Sequence, residues 1–139
     1  MNEILRRIRE FHGHLGPYVV IGYRMGMLAL EQLGAKKYFD ITVESSAGDT
    51  PPVSCMNDGL QLSTGCTFGK GNIRNIASGD PCARITSGGR SVVVRLKPAA
   101  ERSLPDVLKH ENEEAAAQRI FGLPYDALFD CRPEGISCV

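Results

Sequence analysis

Two imidazoles flank a glycine at His12-Gly13-His14, and Pro17 follows closely, so both rings sit on a tight segment leading into a helix start. Neutral imidazole is the commonest nitrogen ligand for zinc and the later first-row metals, and Gly13 permits the sharp backbone path that aims two rings at one point. A metal site is the chemistry this pattern suggests. The plainer alternative is that one histidine caps the helix while the other packs in the core. Cys55 stands in the first turns of a helix that begins near Pro51, with Asp58 one turn later on the same face. A helix N-terminus and a nearby cation both favour the thiolate, the form that binds a metal or attacks a substrate. The alternative for Cys55 is a small buried apolar residue, with Asp58 hydrogen-bonded or solvated.

Cys66 is separated from Cys55 by a stretch that, as unbroken helix, spans roughly 16 Å at about 1.5 Å per residue. It joins the same ion only if Gly65 turns the chain back or a symmetric partner supplies it. The segment Thr64 to Asn72 carries glycines at 65, 69 and 71 with Lys70 between the last two. It falls one residue short of the phosphate-loop spacing and has Gly71 where a magnesium-binding hydroxyl belongs, so a helix-to-strand turn is expected. Outward-pointing backbone N–H groups there leave a small anionic or cofactor-like ligand open, with Lys70 as its contact. Cys131 and Cys138 are too loosely spaced for a zinc ribbon and are read as incidental or weak ligands, and Cys82 as a buried strand residue. His110 with Glu111, Glu113 and Glu114 is read as a solvated helix start.

The elements that must position these groups follow from periodicity and punctuation. A short helix is expected over residues 2–10, and a second from Pro17 to Gly34, with Val20, Tyr23, Met27 and Leu30 on one apolar face and Gly22 and Gly26 admitting another backbone. Asp40 to Ser46 alternates like a strand. A helix from Thr50 would stop near Thr64, where Gly65 can adopt the left-handed conformation. Asn72 to Ala77, Cys82 to Thr86 and Ser91 to Leu96 read as an antiparallel meander. A helix from Ser103 to Ile120, a turn over residues 125–129 and a cysteine-containing tail complete the order. That order lacks regular βα alternation, so an α+β fold is expected, with helices on a small mixed or antiparallel sheet.

The 139 residues fit one domain. With 42% hydrophobic and 23% charged residues and zero formal net charge, nothing points to nucleic acid or an anionic membrane. The apolar run from Pro17 to Leu33 is interrupted by Arg24 and Glu31 and makes a poor membrane span. The N-terminus lacks a signal-type apolar core, and the five cysteines are an odd number, so reduced thiols in the cytoplasm are expected.

Taken together, Phe11-His12-Gly13-His14, Pro17, Gly22 and Arg24, then Cys55 to Asp58, then Thr64-Gly65-Cys66-Thr67-Phe68-Gly69-Lys70-Gly71-Asn72 resemble the FmdE family, whose name comes from formylmethanofuran dehydrogenase. The resemblance implies an α+β domain that binds a divalent transition metal, commonly zinc, near the His-Gly-His segment and the downstream cysteine. It also implies a homodimer and association with a molybdenum or tungsten enzyme of one-carbon metabolism. Many members have cysteine where this chain has Gly16, and many carry a C-terminal zinc ribbon that is not expected here.

A metal-binding accessory protein is therefore the leading expectation, with His14 and Cys55 as first ligands, His12 next and Cys66 conditional. Two alternatives stand beside it. One is a metal-dependent enzyme in which a metal-bound water reacts with Asp58 as base. The other is a thiol redox or carrier protein using Cys55 and Cys66, although no Cys-x-x-Cys pair supports it.

Overall fold

In the computed structural model, which describes residues 1–135, the N-terminal stretch is helical because Asn2 caps it. Its side chain accepts the Leu5 N–H at 2.9 Å, and α1 runs Glu3–His12 with Leu5 and Ile8 buried. Gly13, at φ 98°, returns its N–H to the Arg9 carbonyl and ends the helix, a conformation that favours glycine. Pro17 then opens α2, Pro17–Leu33, whose buried positions fall on nearly every side. It is the central helix. Met27, expected on its apolar face, is exposed, while Val19, Ile21, Met25 and Ala29 are enclosed.

Gly22 and Gly59 explain how the next helix reaches its place. A 3-10 turn, Val53–Cys55, leads into α3, Met56–Thr64. A Cβ on Gly22 would lie 2.0 Å from the Met56 carbonyl oxygen, and one on Gly59 would lie 2.0 Å from that of Val19. Gly26 stands equally close to Ser63 Oγ, so α2 and α3 cross with backbones in contact, as the glycines at 22 and 26 suggested.

The sheet is mixed. Its strands are β1 Thr42–Ser45, β2 Ile73–Asn75, β3 Cys82–Ser87, β4 Arg90–Leu96 and β5 Phe129–Gly135, in spatial order β2-β1-β3-β4-β5. Among the described residues only the β1 and β2 pair is parallel, with Val43 opposite Ile73. The expected three-strand meander is therefore corrected: β1 lies between β2 and β3, because α3 carries the chain back to lay β2 along the outer edge of β1. Val43, Ile85, Val92, Val94 and Leu96 face the helices and are buried.

Two further differences concern the C-terminal half. The single helix expected from Ser103 is two, α4 Pro98–His110 and α5 Glu113–Phe121, divided where Asn112 caps α5 by accepting the Ala115 N–H at 2.8 Å. Pro105, close to the expected start at Ser103, lies inside α4. After the short α6, Tyr125–Leu128, the expected tail is strand β5, which holds Pro133 on the sheet edge where a missing N–H is tolerated. Cys138 lies outside the described residues. An α+β architecture results, and among the described residues no helix is long and apolar enough to cross a membrane.

Candidate metal centre

His12 is the last residue of α1, and its ring is nearly enclosed, with 10% of the side chain exposed. Its Nδ1–H donates to Asp58 Oδ2 at 2.6 Å, which fixes the tautomer and leaves a lone pair on Nε2. That Nε2 is buried and has no hydrogen-bond partner among the described residues. A buried polar atom left unpaired costs about 1–3 kcal/mol, so such atoms are rare outside functional sites. Carboxylate, imidazole and an open nitrogen in series is the arrangement that orients metal-ligating histidines.

The turn after Gly13 brings His14 beside it. The two ring centroids are 4.6 Å apart, tilted by 41°. Gly16 permits this, since a Cβ there would come within 3.2 Å of His14 Cε1. The crossing of α2 and α3 then delivers Cys55, which closes the 3-10 turn and begins α3, to the same place. His12, His14, Cys55 and Glu113 line one cavity of about 50 Å³, walled by apolar side chains that include Val19, Leu104 and Leu108. Glu113 Oε2 lies 3.5 Å from His14 Nδ1.

Electrostatics at Cys55 run opposite to the thiolate expected from its helix-start position. Burial pushes the thiol above its ordinary range, and the carboxylates of Asp58 and Glu113 push the same way, against one favourable backbone hydrogen bond. Cys55 is therefore a protonated thiol at neutral pH. A bound cation is what would draw the proton off.

The structure brings His12, His14, Cys55 and Asp58 together and sets Cys66 and Lys70 apart. Cys66 follows α3 at its far end, fully buried, its thiol donating to the Ile41 carbonyl at 3.4 Å. The loop around Lys70 is the helix-to-strand turn expected, but its amides do not point outward as a cradle. Thr67 N–H donates to Asn72 Oδ1, Lys70 N–H to Thr67 Oγ1 and Gly71 N–H to the Thr67 carbonyl. Lys70 instead lines a separate groove with its side chain. Glu113, expected in a solvated helix start, is 61% exposed in the first turn of α5 and also borders this cavity. Asn112 was the signal for that placement, because a cap there starts a new helix and puts Glu113 in its first turn.

As the side chains stand, no three His, Cys, Asp or Glu residues among those described are grouped closely enough to hold an ion. The donor set nevertheless fits a transition metal: one oriented, unpartnered imidazole, a half-exposed second one and a half-buried thiol bordering the same cavity.

The family model described as FmdE, molybdenum formylmethanofuran dehydrogenase operon, matches residues 11–130. The chain belongs to the FmdE family. The matched span contains His12, His14, Cys55, Asp58 and Glu113. A tungsten formylmethanofuran dehydrogenase FmdE-like protein of known structure, from Syntrophus aciditrophicus, superposes with a TM-score of 0.71 at 23% identity, over 98% of this chain and 72% of that one. At that identity the likeness establishes the fold. A probable S-adenosyl-L-methionine-binding protein from Archaeoglobus fulgidus is 36% identical over 74 residues, 52% of this chain. The alignment spans only 20% of that relative.

Proposed function

We propose that this FmdE-family chain binds a divalent transition metal, with zinc the expected ion, through His12 Nε2, His14 and Cys55. The observation that carries the reading is His12, held by Asp58 on one nitrogen and left buried and unpartnered on the other. Asp58 acts through His12, holding the ring and its tautomer. When bound, the metal supplies Lewis acidity at the cavity. The cavity's roughly 50 Å³ leaves room for about a water molecule beside an ion, and its walls are largely apolar.

Ligation requires the His14 and Cys55 side chains to turn toward His12, and His14 is half exposed. Glu113, beside His14, holds the second ring or becomes a further oxygen donor. Within this proposal the protein is an accessory to a molybdenum or tungsten enzyme of one-carbon metabolism, as the family's description suggests, and it works as a homodimer in the cytoplasm. The free thiols of Cys55, Cys66, Cys82 and Cys131 suit a reducing compartment.

The reading as an enzyme with Asp58 as base gains no support from the geometry, because the Asp58 carboxylate is engaged by His12. The thiol-carrier reading gains none from Cys55 and Cys66, which stand at opposite ends of α3. Elemental analysis of the purified chain tests the proposal. Stoichiometric zinc is expected, lost in His12→Ala and held only with added zinc in Cys55→Ala. No metal, or metal retained in both variants, would overturn it.

A further inference from the structure

A second groove, of about 290 Å³, lies away from the His12 cavity, between α1, α3 and the loops that follow α2 and α3. That volume is at the lower end of small-molecule sites, about 300–1,000 Å³. Its charged lining residues are Arg7, Lys37 and Lys70, drawn from three separate parts of the chain, and among the described residues no carboxylate lines it. In a chain of zero formal net charge this is a local concentration of one sign.

The lysines converge on a single ring. Lys37 Nζ lies 5.1 Å and Lys70 Nζ 5.9 Å from the Tyr38 centroid. Among the described residues neither ammonium has a carboxylate within salt-bridge distance, and Lys70 Nζ donates only to Thr67 Oγ1, at 2.9 Å. Both ammoniums border the groove beside this ring, where an anion would complement their charge. Arg7 adds a planar donor fork suited to phosphate, tied only by an exposed 3.7 Å contact with Glu3.

Tyr38 stands in a strained backbone conformation at the edge of this groove. It has φ 79°, a conformation costing a bulky residue about 1–3 kcal/mol, and it is half exposed. Its backbone is pinned at both ends: its N–H donates to the Thr64 carbonyl at 2.8 Å, and its own carbonyl accepts Asn72 Nδ2–H at 2.6 Å. The ring rests on Gly65, where a Cβ would come within 2.4 Å of Tyr38 Cδ1. Phe11, also half exposed, borders the same groove. Exposed aromatic faces beside cations suit a planar ring carrying negative charge.

We infer that this groove binds a phosphorylated planar heterocycle of the nucleotide class, its phosphates between Lys37, Lys70 and Arg7 and its ring against Tyr38 or Phe11. The site is independent of the metal, and either reading can fail alone. Isothermal titration of the full chain as purified with ADP tests it, with adenosine and pyrophosphate as half-ligands. ADP is expected to bind, and each half-ligand to bind at least about tenfold more weakly. Lys37→Ala and Lys70→Ala, both at exposed positions, should each weaken ADP about tenfold while the urea midpoint is unchanged. No heat with ADP up to about 1 mM, pyrophosphate binding as tightly as ADP, or unchanged affinity in the two variants would overturn the inference. So would a dimer, seen by sedimentation, that both variants dissociate, since a second copy would then occupy the groove.

Discussion

Asp58 and His12 form the pair on which the metal reading turns, and each leads to a distinct expectation. Asp58→Asn keeps the shape but weakens the hold on the Nδ1 proton, and loss of such an orienting partner typically costs about 10–100-fold in metal affinity. Zinc competition with a chromophoric chelator should show a loss on the order of tenfold or more, with the fold retained by circular dichroism. Cys55 makes the affinity depend on pH. Its thiol is held protonated by burial and by two neighbouring carboxylates, so binding as thiolate releases a proton and zinc affinity rises with pH. In Cys55→Ala the slope of log affinity against pH should fall by about one. At this scale the sequence singled out His12, His14, Cys55 and Asp58, which the structure brings together. It did not show their order of importance, because the isolation of His12 Nε2 depends on burial by elements distant in the chain. The cavity position of Glu113 was hidden for a related reason: a helix drawn continuously from Ser103 to Ile120 makes it one more solvated charge.

Helix positions, in turn, rest on backbone contact rather than on side-chain size. Gly22 and Gly59 meet opposite backbones at distances no Cβ tolerates, and this crossing holds the start of α3 against the end of α1. Gly59→Ala is expected to destabilise by about 3 kcal/mol, the upper range of overpacking, and to release zinc together with stability in a urea titration. Arg24 performs the matching task for α5. Its guanidinium donates to the carbonyls of Ile120, Phe121 and Leu123 at 3.1, 2.8 and 2.6 Å and lies 4.5 Å from the Tyr125 ring. It thereby closes the C-terminal end of the helix whose first turn carries Glu113. Helices α1 and α2 and the strands β1, β3 and β4 were legible because each has a clear period, cap or glycine stop. The partner of β2 was not legible, since three consecutive short strands do not reveal that an earlier one will slide between them. Strand β5 was missed because Pro133 reads as a strand breaker until the position is known to be an edge.

The molecule as a whole holds four thiols and two phenols among the described residues as neutral groups in or near the core. Burial raises Cys55, Cys66, Cys82 and Cys131, and also Tyr18 and Tyr23. The unfolded chain therefore loses these protons at lower pH than the folded one, and stability falls as pH rises through that window. It begins near the ordinary thiol value of 9.0 and continues past the tyrosine value of 10.0. The urea midpoint of zinc-free protein should be lower at about pH 10.5 than at about pH 8. The central claim, that His12, His14 and Cys55 converge on one ion, is tested most directly by X-ray absorption at the zinc edge of the purified chain. The account predicts a mixed shell, nitrogen at about 2.0 Å and sulfur at about 2.3 Å, with the sulfur contribution lost in Cys55→Ala. A shell of oxygen alone, or one that Cys55→Ala leaves unchanged, would contradict it.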